Sequence, residues 1–194
     1  FQIFRDGGDM SSCVSITFDD GYESVIREAM PILKKYGMRA SIFVSSGLLG
    51  TNYTTSDGAN LQIFSLDKFK EEDGFRVFEL LSHTCNHHEL PSLPRERIEQ
   101  ELAQDLDFLS IENSTPRIVA YPRGKFSDEV LSVLKQEEWQ GAVTTIPGLF
   151  TKNSNPLLVP RNFVGNRMSL LEFKTLLSDG VYYYARLRLW FSGL

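Results

Sequence analysis

The hydrophobic pattern of this chain changes period repeatedly, and that alternation limits its fold more than any other feature. Residues 13–18 (CVSITF) are β-branched and aromatic and predict a buried strand. Residues 22–36 then put Val25, Ile26, Ala29, Ile32 and Leu33 on one helical face. Pro31 should kink or restart that helix, and Gly37 should stop it. Residues 40–44 (ASIFV) predict a second strand, and the Thr-, Ser-, Asn- and Gly-rich stretch 45–60 a loop. A short helix capped by Ser65 runs to Glu72, and an apolar run covers 77–82. The spacing of Ile98, Leu102, Leu106 and Leu109 predicts a helix over 94–110, followed by a strand over 118–121. Ser127 is a candidate N-cap, with Asp128 and Glu129 in the first turn and Val130, Leu131 and Leu134 on the apolar face. Strands over 141–145 and 157–164, a helix over 169–178 ended by Gly180, and an amphipathic tail over 181–191 complete the chain. Strand followed by helix from end to end dictates α/β architecture with a parallel sheet.

At 194 residues the chain has room for one sizeable core, so 1–194 is read as a single domain, with 181–194 as a C-terminal amphipathic helix or tail. In that tail Tyr182, Tyr183, Tyr184, Trp190 and Phe191 surround Arg186 and Arg188. Such a set can stack on sugars or lie on a membrane, but its helical spacing favours a helix that closes the fold. The net charge of −5 is wrong for a nucleic-acid partner, and no apolar run is long enough to span a membrane. The sequence starts at Phe1 rather than Met, so a natural N-terminus upstream, including a removed signal peptide, stays open. Cys13 and Cys85 are too far apart to pair and are expected to be small buried hydrophobes, which leans toward a reducing, cytoplasmic compartment.

The most informative segment is Thr17-Phe18-Asp19-Asp20-Gly21-Tyr22. A buried strand runs directly into two carboxylates, and burying unpaired charge is expensive, so both belong at the strand's end. In parallel α/β folds that end is where ligands bind. Neighbouring strand residues face opposite ways, so Asp19 and Asp20 are expected to do different jobs unless Gly21 bends the chain. An ordinary Asp-Gly surface turn is the competing reading.

Three histidines are present, all within Ser82-His83-Thr84-Cys85-Asn86-His87-His88. On a helical turn His83 and His87 would share a face and reach one ion. One carboxylate from elsewhere would complete a two-His, one-Asp set with open positions for water, as a catalytic metal site needs. The competing reading is a polar helix start without metal. His88 is read as packing or surface.

A strand ending in TFDDGY followed by SHTxxH resembles the polysaccharide deacetylases, the NodB-homology group or carbohydrate esterase family four. The resemblance runs from about Ser12 to Val164 and implies a distorted (β/α) barrel with fewer than eight repeats. It implies that Asp20, His83 and His87 bind one divalent ion, Zn2+ first and Co2+, Ni2+ or Mn2+ next, and that Asp19 is the catalytic base. The segment Val119-Ala120-Tyr121-Pro122-Arg123-Gly124 resembles the third family motif. There the backbone N–H of Arg123 would bind the oxyanion, and Tyr121 and Pro122 would meet substrate. Ala120 stands where the family often has an arginine. This, with Ala142-Val143-Thr144-Thr145 and Val159-Pro160-Arg161, is similar to the poly-N-acetylglucosamine branch. Arg161 is either the stand-in for the lost charge beside Asp19 or a surface arginine.

No histidine follows His88, although the family often carries a later one as general acid. An amide nitrogen must be protonated to leave; an ester oxygen is less demanding. The implied activity is removal of acetyl groups from N-acetylated sugars of a glycan. The alternatives are an O-acetyl esterase or sugar deformylase on the same fold, and a catalytically silent glycan-binding domain.

Overall fold

The computed structural model describes residues 13–55, 58–112 and 116–178. Five short strands, β1 (Thr17–Asp19), β2 (Ala40–Val44), β5 (Phe78–Ser82), β6 (Ile118–Ala120) and β7 (Gly141–Val143), form a parallel sheet in chain order. A separate antiparallel hairpin, β3 (Asn52–Thr54) with β4 (Asn60–Gln62), follows β2. The helices are α1 (Met30–Tyr36), α2 (Leu66–Glu71), α3 (Arg95–Glu112), α4 (Asp128–Gln136) and α5 (Leu170–Leu176).

Strand alternation gives the sheet two buried faces, as parallel sheets require. Ile42, Val44, Phe78 and Leu80 pack outward with the α1 residues Met30 and Leu33, while Val119 and Ala142 pack outward with Val130, Val133 and Leu134 of α4. The residues between them, Phe43, Leu81, Ile118, Ala120 and Val143, turn the other way and form a separate inner cluster with Val159. Each large side chain buried in this way is worth about 1.5–3 kcal/mol relative to exposure. In register, Phe18 lies beside Ile42 and Asp19 beside Phe43. Phe18 therefore joins the helix-facing cluster, and Asp19 points with Phe43 toward the inside of the curve. Val159 makes one parallel bridge to Val143 at the far edge, and Arg161 reaches from there to Thr17 and Asp19 on β1. A side chain, rather than a backbone ladder, thus joins the two ends of the half-barrel.

Several elements follow the sequence pattern. Ser65 and Ser127 both cap their helices, accepting from Lys68 N and Val130 N, and Ser169 with Glu172 forms a capping box for α5. Gly37 ends α1 with φ 63°.

Others differ for physical reasons. The expected face of the first helix holds at Val25, Ile26, Ala29 and Leu33 but not at Ile32. A π segment, Val25–Ala29, precedes α1, and its wider turn brings Met30 inward (3% exposed) while Ile32 faces solvent at 57%. The expected strand over 157–164 is instead a single 3-10 turn, Pro156–Leu158, then the lone bridge at Val159; Pro156 and Pro160 remove ladder donors on either side. The stretch 45–60 is not all loop, since β3 and the start of β4 lie in it. The first strand begins only at Thr17, so Cys13 precedes the sheet and is exposed; Cys85 is partly buried in the histidine loop. Gly180 and the 181–191 tail lie outside the described residues. Among those described, no helix is long and apolar enough to cross a membrane.

Candidate metal centre

The site is built where β1 ends. Asp19 is the last strand residue, and the chain then makes two consecutive left-handed residues, Asp20 (φ 68°) and Gly21 (φ 75°), with Gly21 N donating to Asp19 O. Aspartate tolerates that region and glycine enters it freely. Position 21 also lacks room: a Cβ there would come within 3.1 Å of Val44 Cγ1 and 3.2 Å of Phe64 Cε1. The turn swings the Asp20 carboxylate toward the loop that follows β5.

That loop carries both histidines, and it is not helical. The proposed sharing of a helical face is therefore incorrect. His83 directly continues β5, donating its N–H to Val44 O, and the chain then folds back through Thr84 (φ 65°) to His87 (φ 57°). Loop curvature, not a helical repeat, brings the rings to 4.8 Å between centroids. Asp20 Oδ1 is 3.4 Å from His83 Nε2 and 3.3 Å from His87 Nε2. One ligand atom from each of the three residues lies within 4.8 Å of the others. Behind the rings, His83 Nδ1 is 2.8 Å from Ala120 O, and His87 Nδ1 is 3.2 Å from the Tyr53 hydroxyl. A carbonyl only accepts, so His83 donates from Nδ1 and its Nε2 is the atom presented forward.

The electrostatics fit a point that wants positive charge. Burial alone would push the Asp20 carboxyl up, but hydrogen bonding to His83 and the charges of His83 and His87 hold it below the usual range. Burial alone would push His83 down, yet the Asp20 hydrogen bond and the charges of Asp19 and Asp20 outweigh it and raise the imidazole. His87 is pushed down to about 4, by burial first and then by its charged neighbour His83. Two imidazole nitrogens and a carboxylate oxygen facing one another repel unless a proton or a cation lies between them. The donor set, two N and one O with the remaining directions open, fits a divalent transition ion such as zinc.

Asp19 meets a different partner. Arg161 Nη1 and Nη2 donate to its two oxygens at 2.6 and 2.8 Å, a bidentate pair. The guanidinium is fixed further by Thr144 O (3.0 Å from Nε) and Thr17 Oγ1 (3.3 Å from Nη1), and it lies over the Phe43 ring. With its side chain only 17% exposed, Arg161 is not a surface arginine.

In the third motif, Arg123 sits at φ 55° in the 3-10 turn Pro122–Gly124, its side chain half exposed and 3.4 Å from Glu89. Its N–H has no acceptor among the described residues. Gly124 (φ 68°) has no room for a side chain, since a Cβ would overlap the Thr145 side chain. Tyr121 departs from expectation. Its side chain is 1% exposed and its hydroxyl donates to Leu157 O, so the ring belongs to the core and cannot meet substrate. Burial raises that hydroxyl above the usual phenol range. Pro122 is also buried.

Three further residues escaped the sequence reading. Tyr53 lies on a hairpin hidden in a polar stretch, and its only signal is an aromatic beside β-branched threonine. Glu101 and Asp105 sit one turn apart on α3 behind the histidine loop. Their signal is acidic residues on the face that also carries Ile98, Leu102 and Leu109. His88, read as packing or surface, is half exposed and places Nδ1 3.0 Å from Glu101 Oε1.

Comparison with known proteins adds the family. A profile described as polysaccharide deacetylase matches residues 6–142. YxkH of Bacillus subtilis (strain 168) is 30% identical over 169 residues, covering 87% of this chain and 57% of that protein. The poly-beta-1,6-N-acetyl-D-glucosamine N-deacetylase of Staphylococcus aureus (strain MRSA252) is 28% identical over 162 residues, covering 79% of this chain and 54% of that protein. The chain thus spans little more than half the length of these relatives. The Streptococcus pyogenes deacetylase PplD, solved in complex with acetate, superposes with a TM-score of 0.77 at 24% identity over 92% of this chain and 76% of that one. The likeness establishes the fold as a distorted (β/α) barrel of the NodB kind.

Proposed function

The chain belongs to the polysaccharide deacetylase family, and from that premise we propose that it removes acetyl groups from an N-acetylated glycan, using one divalent ion held by Asp20, His83 and His87. The observation that carries this reading is the meeting of those three ligand atoms with a second carboxylate, Asp19, one residue away and clamped by Arg161. Zinc suits the donor set best, and cobalt, nickel or manganese would also fit. A bound ion would supply an acidified water and a Lewis acid for the acyl oxygen.

The remaining work falls to the chain. Asp19 takes a proton from the attacking water as general base. Arg161 holds that carboxylate in one rotamer and balances the second negative charge in a crowded site. The Arg123 N–H, without an acceptor among the described residues, donates to the oxygen that gains charge as the carbonyl is attacked. As the acyl C–N bond breaks, the proton that Asp19 took from the water passes to the departing nitrogen, and the products are acetate and an amino sugar. The poly-beta-1,6-N-acetyl-D-glucosamine deacetylases among the relatives favour a glycan of N-acetylglucosamine as substrate.

A second reading, an O-acetyl esterase, has one observation in its favour: among the described residues the two histidines at the site, His83 and His87, are both candidate ligands, which leaves neither to protonate a leaving amine. The test is acetate release from N-acetylglucosamine oligomers and from acetylated xylan, before and after chelation. Release from the oligomers that stops on chelation and returns with zinc supports the proposal. Release from xylan alone favours the esterase, and release from neither, with metal bound, leaves a glycan-binding domain.

A further inference from the structure

The two imidazoles stand on a loop whose backbone is unfavourable on its own. Thr84 and His87 are non-glycine residues in the left-handed region, at φ 65° and 57°. Something must hold that path, and one side chain behind it makes three of the contacts. Glu101, on the inward face of α3, is 1% exposed. Its Oε2 accepts from Asn86 N at 2.8 Å, and its Oε1 accepts from Asn86 Nδ2 at 2.8 Å and faces His88 Nδ1 at 3.0 Å. Its own carbonyl accepts from Cys85 N at 3.1 Å. Residues 85, 86 and 88 are thus bound to a single position of α3, and His87 is the residue left between them.

One turn further, Asp105 is fully buried and accepts from Ser46 N at 2.8 Å. The same 45–47 segment clasps the histidine loop from the other side, with Ser45 Oγ donating to His83 O and Gly47 N donating to Cys85 O. Glu101 therefore grips the loop directly, and Asp105 braces the segment that backs it.

We infer that Glu101 is the positioning residue of the metal centre: it touches no ligand, but by binding Asn86 and His88 it sets the path of His87 and so the fit of the site to its ion. The inference rests on the metal-binding reading above. A carboxylate suits the role because it offers acceptors on both oxygens to three donors, where glutamine offers one acceptor oxygen and a competing donor.

The test measures zinc affinity by competition with a chromophoric chelator in the full chain. Glu101→Ala should weaken zinc binding about 10- to 100-fold, the usual cost of losing support behind a ligand, and Glu101→Gln should weaken it less. Amide exchange at Cys85 and Asn86 should speed up in Glu101→Ala without added metal. Leu109→Ala, a core truncation on the same helix, controls for stability: it should lower the melting temperature and leave zinc affinity unchanged. If Glu101→Ala does not fold, Glu101→Gln and Asn86→Ala carry the test with the same expected direction. Folded variants at Glu101 and Asn86 with wild-type affinity would overturn the inference and leave the metal reading intact. Equal loss in Leu109→Ala would also overturn it, as a general stability effect. A wild-type chain that binds no zinc overturns both.

Discussion

Asp19 and Asp20 are one peptide bond apart and live in different chemistry. Asp19 is still in the strand, so the pleat sends it into the barrel interior beside Phe43, where a guanidinium from the opposite edge of the sheet takes both its oxygens. Asp20 is in the turn, so a left-handed residue sends it to the loop after β5, where two imidazoles meet one of its oxygens. The arginine side is a saturated ion pair with a fixed geometry. The imidazole side is an unfinished cluster whose charges balance only with a proton or a cation among them. Backbone conformation thus gives identical side chains different partners, which suits the base and ligand roles proposed for them.

The comparison breaks most completely on the imidazole side. His83→Ala or Asp20→Ala should abolish binding of the single divalent ion, read as metal per chain after dialysis; either variant at full occupancy would remove Asp20, His83 and His87 as the ligand set. On the arginine side the expectation reverses. Asp19→Asn should keep the ion and lose about 10²- to 10⁴-fold in turnover, since it removes a base and spares the ligands. If Asp19→Asn strips the metal while Asp20→Asn retains it, the two roles have been exchanged. A smaller effect is expected one step back. Arg161→Met should keep normal metal content and lose about 10- to 100-fold in activity, the scale expected of a group that orients a catalytic one. Wild-type kinetics in that variant would reduce the pair to a structural link between β1 and the 159–161 segment.

The smallest effect is a proton count, and its sign follows from the two histidines. Without an ion, His83 is raised above its ordinary 6.5 by the Asp20 hydrogen bond and the charges of Asp19 and Asp20, so it keeps its proton to higher pH than a free imidazole; His87, pushed down to about 4, loses its proton far earlier. An imidazole must be neutral to ligate. Zinc binding at or below pH 6.5 should therefore release a proton drawn from the His83–Asp20 pair, and the release should fade as pH rises. Calorimetry in buffers of different ionisation enthalpy measures this directly. Affinity should fall as pH falls, beginning at or above 6.5 because of His83, with His87 adding competition only near pH 4. A proton count of zero at pH 6, below the ordinary 6.5 that His83 exceeds, would mean that the Asp20 side does not hold the charge assigned to it.

Much of this site was legible in the sequence because its parts are short and local. TFDDGY is a strand end by its own residues: β-branched and aromatic up to Phe18, then charge, then a glycine. Ser65 and Ser127 announce helices within a four-residue window, and such caps need no knowledge of the rest of the chain. The errors share the opposite character. Ile32 was expected inside because a helix was assumed to keep one period, and the π segment before Pro31 changed it. His83 and His87 were expected on a helical turn because four-residue spacing admits that geometry, but the loop's path is set by Glu101 and the 45–47 segment, which are distant in sequence. Tyr121 was expected at the substrate, and only the packing against Leu157 shows that its ring belongs to the core.

By itself, then, the sequence determined the alternation of strands and helices that builds the parallel sheet, the clustering of all three histidines within six residues, and the presence of two carboxylates at a strand's end. These follow from periodicity and from the cost of burying charge, both of which act over a few residues. Only the tertiary structure decided which aspartate faces which partner, that Arg161 crosses the open edge of the barrel to reach Asp19, and that Tyr53 and Glu101 stand behind the histidine loop. Each of these depends on contacts between segments distant in sequence, and no local pattern encodes it.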